Sequence, residues 1–177
     1  MIMFADEASV SITSPLRRTY AHRGQRPVIK TNSEIGKRVY AASAISEKGD
    51  LFHTVREKPF DANAIIDFLR LILQKVKQKV ILIWDNASIH DCQAMRQFLS
   101  ADPMAQNIHL SKIPFYSPQF NPDEQVWNLV KNYGLYNTCY RSVKELIEKL
   151  DEELNNLSKN ADLIKQFFKH PDIHFYA

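Results

Sequence analysis

Residues 80–85, Val80-Ile81-Leu82-Ile83-Trp84-Asp85, combine five consecutive apolar side chains with a carboxylate directly after them. A continuously apolar run is typical of a strand that is buried on both faces, whereas a half-exposed strand alternates. The run Met1-Ile2-Met3-Phe4-Ala5 has the same pattern and is followed by Asp6 and Glu7. The two runs therefore predict two buried strands, each ending on acidic residues.

The segments around these strands predict an α/β layered domain. Residues 39–45 and 51–55 are typical of strands, and the turn between them favours a hairpin. Helical periodicity and capping residues indicate helices near 61–76, 91–100, 121–134, 142–157 and 163–168, with a further short strand at 107–113. This order predicts antiparallel strands early in the chain and parallel crossovers later.

Length and composition limit the class of protein. A chain of 177 residues that is 45% hydrophobic suits one domain with a sizeable core. The two cysteines, Cys92 and Cys139, are too few for a disulfide scaffold or a cysteine-built zinc site, so a reducing cytosol is expected. No apolar run approaches the ~20 residues of a membrane helix, and acidic residues interrupt the apolar start, which argues against a signal peptide.

Charge is distributed unevenly along the chain. The net charge is only +3, but residues 8–33 contain no acidic residue. The cations of this segment are Arg17, Arg18, Arg23, Arg26 and Lys30, with His22 among them. Such a segment suits the phosphates of a nucleic acid, although a solvated loop explains it equally well.

The carboxylates that follow the predicted strands are candidate metal ligands. Ligands and metals gather at the carboxyl ends of strands in open α/β sheets, so Asp6 and Asp85 can share a divalent cation if their strands are neighbours. Glu124, at a helix start, can complete a set that holds two metal ions ~4 Å apart for phosphoryl transfer. Turn formation and helix capping are alternative roles for these acids. Spacing also leaves two neighbouring acids open as ligands, Glu7 and Asp123.

Three segments together resemble a known family. They are Phe4-Ala5-Asp6-Glu7, Trp84-Asp85-Asn86-Ala87-Ser88-Ile89-His90 and Pro114-Phe115-Tyr116-Ser117-Pro118-Gln119-Phe120-Asn121-Pro122-Asp123-Glu124-Gln125-Val126-Trp127. In this order they resemble the catalytic domain of bacterial insertion-sequence transposases of the DDE type, which are related to the mariner superfamily. Residues 18–25 are similar to the family's arginine-tryptophan-x-x-x-glycine stretch, with Tyr20 where tryptophan is usual.

The resemblance implies a fold and an activity. The implied fold is RNase H-like: a mixed sheet, antiparallel meander plus parallel strands, flanked by helices. Residue by residue, the family's three catalytic acids match Asp6, Asp85 and Glu124. The implied reaction is a metal-dependent phosphoryl transfer with two Mg²⁺ or Mn²⁺ ions. In it a DNA strand is cut at a transposon end and its 3′-hydroxyl is joined to target DNA.

DNA contacts are expected from further residues. Those expected on backbone phosphates are Arg17, Arg18, Arg23, Arg26 and Lys30. His90 matches a histidine that is usual after the second aspartate and is expected beside the substrate, with a backbone hydrogen bond at a helix start as the alternative. Lys131 matches a common basic position of the family and is expected to contact a phosphate.

The resemblance covers nearly the whole chain. Residues 1–177 are therefore predicted to form a single catalytic domain, without the helix-turn-helix DNA-binding modules that precede it in full-length relatives. The expected partners are transposon-end and target DNA and a second copy in a homodimer, with no membrane. The expected location is the bacterial cytoplasm, at the nucleoid. Two other functions stay open: a catalytically silent remnant that binds DNA or a partner transposase, and a nuclease for branched DNA.

Overall fold

The computed structural model describes residues 1–13, 20–26, 28 and 36–169. Within these ranges the strands are β1 (Ile2–Ser11), β2 (Arg38–Ser46), β3 (Leu51–Arg56), β4 (Val80–Trp84) and β5 (Ile108–Lys112). The α-helices are α1 (Ala62–Lys75), α2 (Gln93–Ala101), α3 (Glu124–Leu129), α4 (Val143–Ser158) and α5 (Ala161–Phe167). Three 3₁₀ turns, Ser88–Asp91, Pro103–Asn107 and Pro118–Phe120, and one π-helical turn, Val130–Gly134, complete the described elements.

One mixed sheet contains the five strands, in the order β3-β2-β1-β4-β5. β1, β2 and β3 pair antiparallel as a meander, while β4 and β5 run parallel to β1. Parallel neighbours need crossover connections, which α1 and α2 supply. The sheet therefore has the mixed pairing that the resemblance implied.

Helices cover both faces of the sheet. One face packs against α1 and α2, in a core that includes Met3, Leu82, Leu69 and Phe98. The other packs against α3, α4 and α5, in a core that includes Val39, Val126, Leu150 and Ile164. The apolar run that begins β1 is buried on both faces, since Met3, Phe4 and Ala5 are all at most 1% exposed. β4 is fully buried on one face alone: Val80, Leu82 and Trp84 are buried, whereas Ile81 is 42% exposed, so the prediction of a strand buried on both faces is wrong for β4.

β1 extends farther than the sequence predicted. The prediction ended the strand after Ala5, but it runs to Ser11, so Asp6 and Glu7 lie inside it. The pairing explains the difference. β4 pairs with residues 2–4 alone, whereas β2 pairs with β1 from Met3 to Ser11. The apolar run thus marks the part of β1 with a strand on each side, and Asp6 lies where β1 leaves β4.

The helix predicted from Asn121 also begins later than expected. α3 starts at Glu124, after a turn in which the Glu124 N–H donates to the Asn121 carbonyl at 3.2 Å. Tyr133, three residues after the buried Val130, is 69% exposed, although regular helical spacing would place the two side chains on the same face. The π-helical turn at Val130–Gly134 explains this, because it shifts the side chains out of α-helical register.

Two helix caps agree with the sequence. The side chain of Asp61 accepts a hydrogen bond from the Ala64 N–H at 2.8 Å, and that of Ser142 accepts one from the Glu145 N–H at 3.2 Å. Phe168, directly after α5, packs edge-on against Phe4 with ring centroids 5.8 Å apart. No helix in the described ranges is long and apolar enough to cross a membrane.

Candidate active site

A cleft of about 400 Å³ opens where β4 ends, and the three predicted acids all line it. Asp6 comes from the middle of β1, Asp85 directly follows β4, and Glu124 is the first residue of α3. Asp6 and Asp85 each lie two residues beyond the paired rung Phe4–Ile83. The parallel register of two neighbouring strands therefore brings the first two acids together, and the start of α3 adds the third.

The carboxylate of Asp6 carries a large electrostatic cost. Burial, together with the negative charges of Glu124, Glu7 and Asp85, raises the pKa of Asp6 from 3.8 to about 8. A hydrogen bond with the backbone of Glu7 opposes the shift only in part. The cleft thus concentrates negative charge that a bound cation would stabilise.

The carboxylate of Asp85 is held through one oxygen. Its Oδ1 accepts a hydrogen bond from the Ala87 N–H at 2.9 Å and lies 3.2 Å from Nδ1 of His90. The His90 ring stacks on Trp84, with centroids 3.9 Å apart, and its Nε2 lies 3.0 Å from Oε1 of Glu7. Neither contact of Asp85 uses its second oxygen, Oδ2.

His90 contacts two of the acids, Glu7 and Asp85, from a buried position. The sequence analysis placed His90 beside DNA, but its side chain is only 1% exposed. Burial by itself lowers the pKa of the ring, but the hydrogen bond and charge of Glu7, with Asp85, leave that pKa raised. Its Nδ1 also lies 3.3 Å from the Asp85 carbonyl, which agrees with the alternative role of a backbone contact.

Glu7 belongs to this support and not to the lining of the cleft. Successive side chains of a strand point to opposite faces, so Glu7 and Asp6 diverge. Ligand atoms of Glu7, Asp85 and His90 lie within 4.8 Å of one another. Both ring nitrogens of His90 already face carboxylate oxygens, however. We therefore interpret these three residues as a hydrogen-bonded support.

The turn at 121–124 is tied to the sheet by two buried hydrogen bonds that the sequence analysis missed. Nδ2 of Asn121 donates to the Ala5 carbonyl at 3.1 Å, and Oγ of Ser43 donates to Oδ2 of Asp123 at 2.6 Å. A lone serine in the otherwise apolar centre of β2 was the one available signal. These bonds fix the start of α3 relative to β1 and β2.

Asp123 is buried behind the cleft. Burial raises its pKa well above 3.8; the Ser43 hydrogen bond opposes the shift, and the charges of Asp6 and Glu124 add to it. Its second oxygen, Oδ1, has no hydrogen-bond partner among the described residues. Asp123 does not line the cleft, whereas Glu124 does. Sequence spacing left open whether Asp123 or Glu124 is the candidate ligand, and the structure favours Glu124 because it lines the cleft.

Sequence comparison agrees with this arrangement. The sequence model for DDE superfamily endonucleases matches residues 1–147. The chain belongs to the DDE endonuclease superfamily. No protein of curated function matches this DDE domain by sequence.

Solved structures of the Mos1 mariner transposase share the fold of the DDE domain. Its paired end complex with Mn has a TM-score of 0.67 at 17% identity, covering 97% of this chain and 54% of that chain. Its strand transfer complex has a TM-score of 0.63 at 17% identity, and the match covers 99% of this chain and 56% of that chain. Its isolated catalytic domain has a TM-score of 0.57 at 16% identity, and the match covers 93% of this chain and 80% of that chain. The fold is thus the RNase H-like one, and the chain spans about half the length of the Mos1 chains in those complexes.

The cleft of the DDE domain has a second wall of different chemistry. It is the loop 113–118, Ile113-Pro114-Phe115-Tyr116-Ser117-Pro118, all of which lines the cleft. We call Asp6, Asp85 and Glu124 the acidic wall, and Phe115 and Tyr116 the aromatic wall. The sequence analysis quoted these two aromatics only as part of a motif, although two adjacent aromatics between prolines are a visible signal.

The basic residues lie outside the cleft lining where they are described. Arg23 and Arg26 are exposed on either side of a turn at Gly24, whose φ is 86°. Lys131 is half-buried in the π-helical turn and does not line the cleft. Arg17, Arg18 and Lys30 lie outside the described residues.

Proposed function

We propose that this DDE domain is the catalytic domain of a transposase, which cuts DNA at transposon ends and transfers the cut strand into target DNA. The observation that carries the proposal is the acidic wall, in which carboxylates from three separate elements meet in one cleft. Membership of the DDE superfamily endonucleases supports strand cleavage. The fold shared with Mos1, which is solved as a paired end complex and as a strand transfer complex, supports transposition.

The acidic wall fits a divalent cation. Carboxylate oxygens are hard ligands of the kind that Mg²⁺ and Mn²⁺ prefer, and a cation would favour the charged form of Asp6, whose pKa is raised by burial and by the neighbouring acids. We propose Asp6, Asp85 and Glu124 both as the catalytic residues and as the ligands. When bound, two such ions activate the attacking water or 3′-hydroxyl and stabilise the leaving oxygen.

The chain's own contribution is to hold these carboxylates in place. His90 fixes one oxygen of Asp85, and Trp84 packs beneath the imidazole ring. The hydrogen bonds of the 121–124 turn fix Glu124 relative to β1. These supporting side chains are buried, while the carboxylates that they orient line the cleft. Such preorganisation limits the rearrangement that is needed when the substrate arrives.

The proposal extends to partners and location. The residues proposed to contact DNA phosphates are Arg17, Arg18, Arg23, Arg26, Lys30 and Lys131. We also propose that residues 1–177 form one catalytic domain. In this proposal it acts as a homodimer on paired transposon ends, in the bacterial cytoplasm at the nucleoid, where the free thiols Cys92 and Cys139 would stay reduced.

The test is Mn²⁺-dependent nicking of supercoiled plasmid by this chain and its Asp85→Ala variant. The Asp85 side chain is 56% exposed, so the substitution removes a carboxylate without opening the core. We expect the parent to nick the plasmid and the variant to be at least ~100-fold slower, because one carboxylate of the proposed metal site is gone. Asp67→Ala, at an exposed position on α1, is the matched control and should keep the parent rate.

Other outcomes separate the remaining functions. Equal nicking by the parent and Asp85→Ala would contradict the proposed site. DNA binding without nicking, unaffected by EDTA or by Asp85→Ala, would favour a silent DNA-binding remnant. Cleavage of branched DNA without strand transfer would favour a structure-specific nuclease.

A further inference from the structure

Two aromatic side chains stand exposed at the mouth of the cleft. Phe115 is 73% exposed and Tyr116 is 99% exposed, yet both line the same cleft as the acidic wall. The loop that carries them has no charged residue, so it is not built to bind phosphate. It offers apolar, flat surface directly beside a site of three carboxylates.

The aromatic loop is anchored where it leaves the sheet. The Ile113 N–H donates to the Trp84 carbonyl at 2.8 Å, and the side-chain amide of Asn86 donates to the Ile113 carbonyl. Pro114 and Pro118 then restrict the backbone on either side of the aromatic pair. The exposure of the two rings therefore belongs to an anchored loop and not to a loose connection.

The backbone of Tyr116 is in the left-handed region, with φ at 56°. Residues other than glycine, asparagine and aspartate rarely adopt this conformation, and a bulky aromatic gains nothing locally from it. Strained backbone of this kind is concentrated at functional sites, where the surrounding structure maintains it. At Tyr116 the strain coincides with an almost fully exposed ring at the cleft.

The chemistry of the cleft indicates which ligand would pack against the rings of Phe115 and Tyr116. The proposed function, on which this inference rests, brings a DNA phosphate to the acidic wall. The bases attached next to that phosphate then reach the mouth of the cleft. A paired base has both faces covered by its neighbours, whereas an unpaired base offers a free π-face, and such faces stack well on Phe and Tyr.

We propose that Phe115 and Tyr116 form a stacking platform for an unpaired nucleobase beside the phosphate that is cut. Taking a base out of a duplex costs free energy, and stacking on aromatic side chains offsets part of that cost. The DDE domain should therefore prefer DNA that is unpaired at the point of cleavage. The platform is indifferent to base identity, because every base has a π-face.

The test compares binding to a labelled duplex that is fully paired and to the same duplex with a short unpaired run at its centre. Binding is measured by fluorescence anisotropy, with Ca²⁺ in place of Mg²⁺ so that cleavage does not interfere. We expect the parent chain to bind the unpaired duplex more tightly. Tyr116→Ala should reduce that preference roughly tenfold, and Tyr116→Trp should keep it because the aromatic face remains.

Tyr133→Ala is the matched control, since Tyr133 is 69% exposed but does not line the cleft. The control should leave the preference unchanged. An equal preference in the parent and Tyr116→Ala, no preference in the parent, or an equal loss in Tyr133→Ala would each overturn the platform. The plasmid assay separates the two proposals. Nicking without a preference overturns the platform alone, whereas a preference that Tyr116→Ala removes, without nicking, overturns the proposed function alone.

Discussion

The two walls of the cleft are built in different ways. The acidic wall takes its side chains from a strand, a strand end and a helix start, and it depends on contacts between residues as far apart as Ala5 and Asn121. The aromatic wall takes two adjacent residues from one short loop between prolines. The acidic wall forms only when β1, β4 and α3 are correctly packed together. The aromatic wall comes from two neighbouring residues of the sequence. The proposed metal site therefore depends on long-range contacts, whereas the proposed stacking platform depends on local sequence.

The largest effect should come from breaking the acidic wall alone. Glu124→Gln keeps the size of the side chain but removes a charge from the proposed metal site, so we expect nicking to fall at least ~100-fold on paired and unpaired DNA alike. Glu152→Gln, an exposed glutamate of α4, is the control. The preference for unpaired DNA should stay at the parent value in both variants. A loss of that preference in Glu124→Gln would show that the walls do not act separately.

A smaller effect should come from removing the support behind the acidic wall. His90→Ala leaves Asp85 in the chain but takes away the ring that holds its Oδ1 at 3.2 Å. Loss of such a partner typically costs 10–100-fold in metal affinity, and we expect about this decrease for Mn²⁺ by isothermal titration calorimetry.

Two comparisons make the His90 experiment specific. His109→Ala, at an exposed position on β5, should bind Mn²⁺ as the parent does. Circular dichroism establishes whether each variant is folded. Parent-like Mn²⁺ affinity in a folded His90→Ala protein would show that Asp85 needs no support from this ring.

The smallest effect concerns stability, and it distinguishes the walls by pH. The pKa of Asp6 in the folded chain is about 8, above its ordinary 3.8. Folding therefore takes up a proton between these values, and stability falls as the pH rises through this window. Asp6→Asn removes that loss, so in EDTA we expect its Tm to exceed the parent's near pH 8, by roughly 2–4 °C for each kcal/mol that the substitution restores.

The gain in Asp6→Asn should shrink to nothing near pH 4, where both proteins carry an uncharged group at this position. Tyr116→Ala should show no such pH-dependent difference from the parent, because it leaves Asp6 in place. Thermal unfolding followed by circular dichroism across this pH range measures both. A constant difference in Tm for Asp6→Asn would mean that the carboxyl charge is not its cause.

Apolar runs in the sequence predicted where strands begin better than they predicted where strands end. The apolar run of β4 correctly predicted a strand, although Ile81 leaves one of its faces partly exposed. The second half of β1 was missed because it has β2 beside it but not β4, and its mixed residues, such as Ser9 and Ser11, carry no buried-strand pattern. Apolar patterning therefore located strands but gave neither the length of β1 nor the burial of both faces of β4.

The candidate site was also predicted only in part. The acids that line the cleft were identified by their resemblance to family motifs. Their supports were not, because Ser43 and Asp123 are 80 residues apart and no local pattern links them. His90 was noticed, but its burial and its stacking on Trp84 could not be read from the sequence. The long-range partners of a site thus become visible only with the fold.

The positions of the tryptophans have a consequence for spectroscopy. The chain has only two, Trp84 and Trp127, and both are buried. Trp84 directly precedes one acid of the cleft and stacks on His90, while Trp127 follows Glu124 by about one helical turn. Intrinsic fluorescence is therefore a label-free optical reporter of the two sides of the cleft. With Trp127→Phe, the remaining emission would follow the Asp85 side alone during a titration.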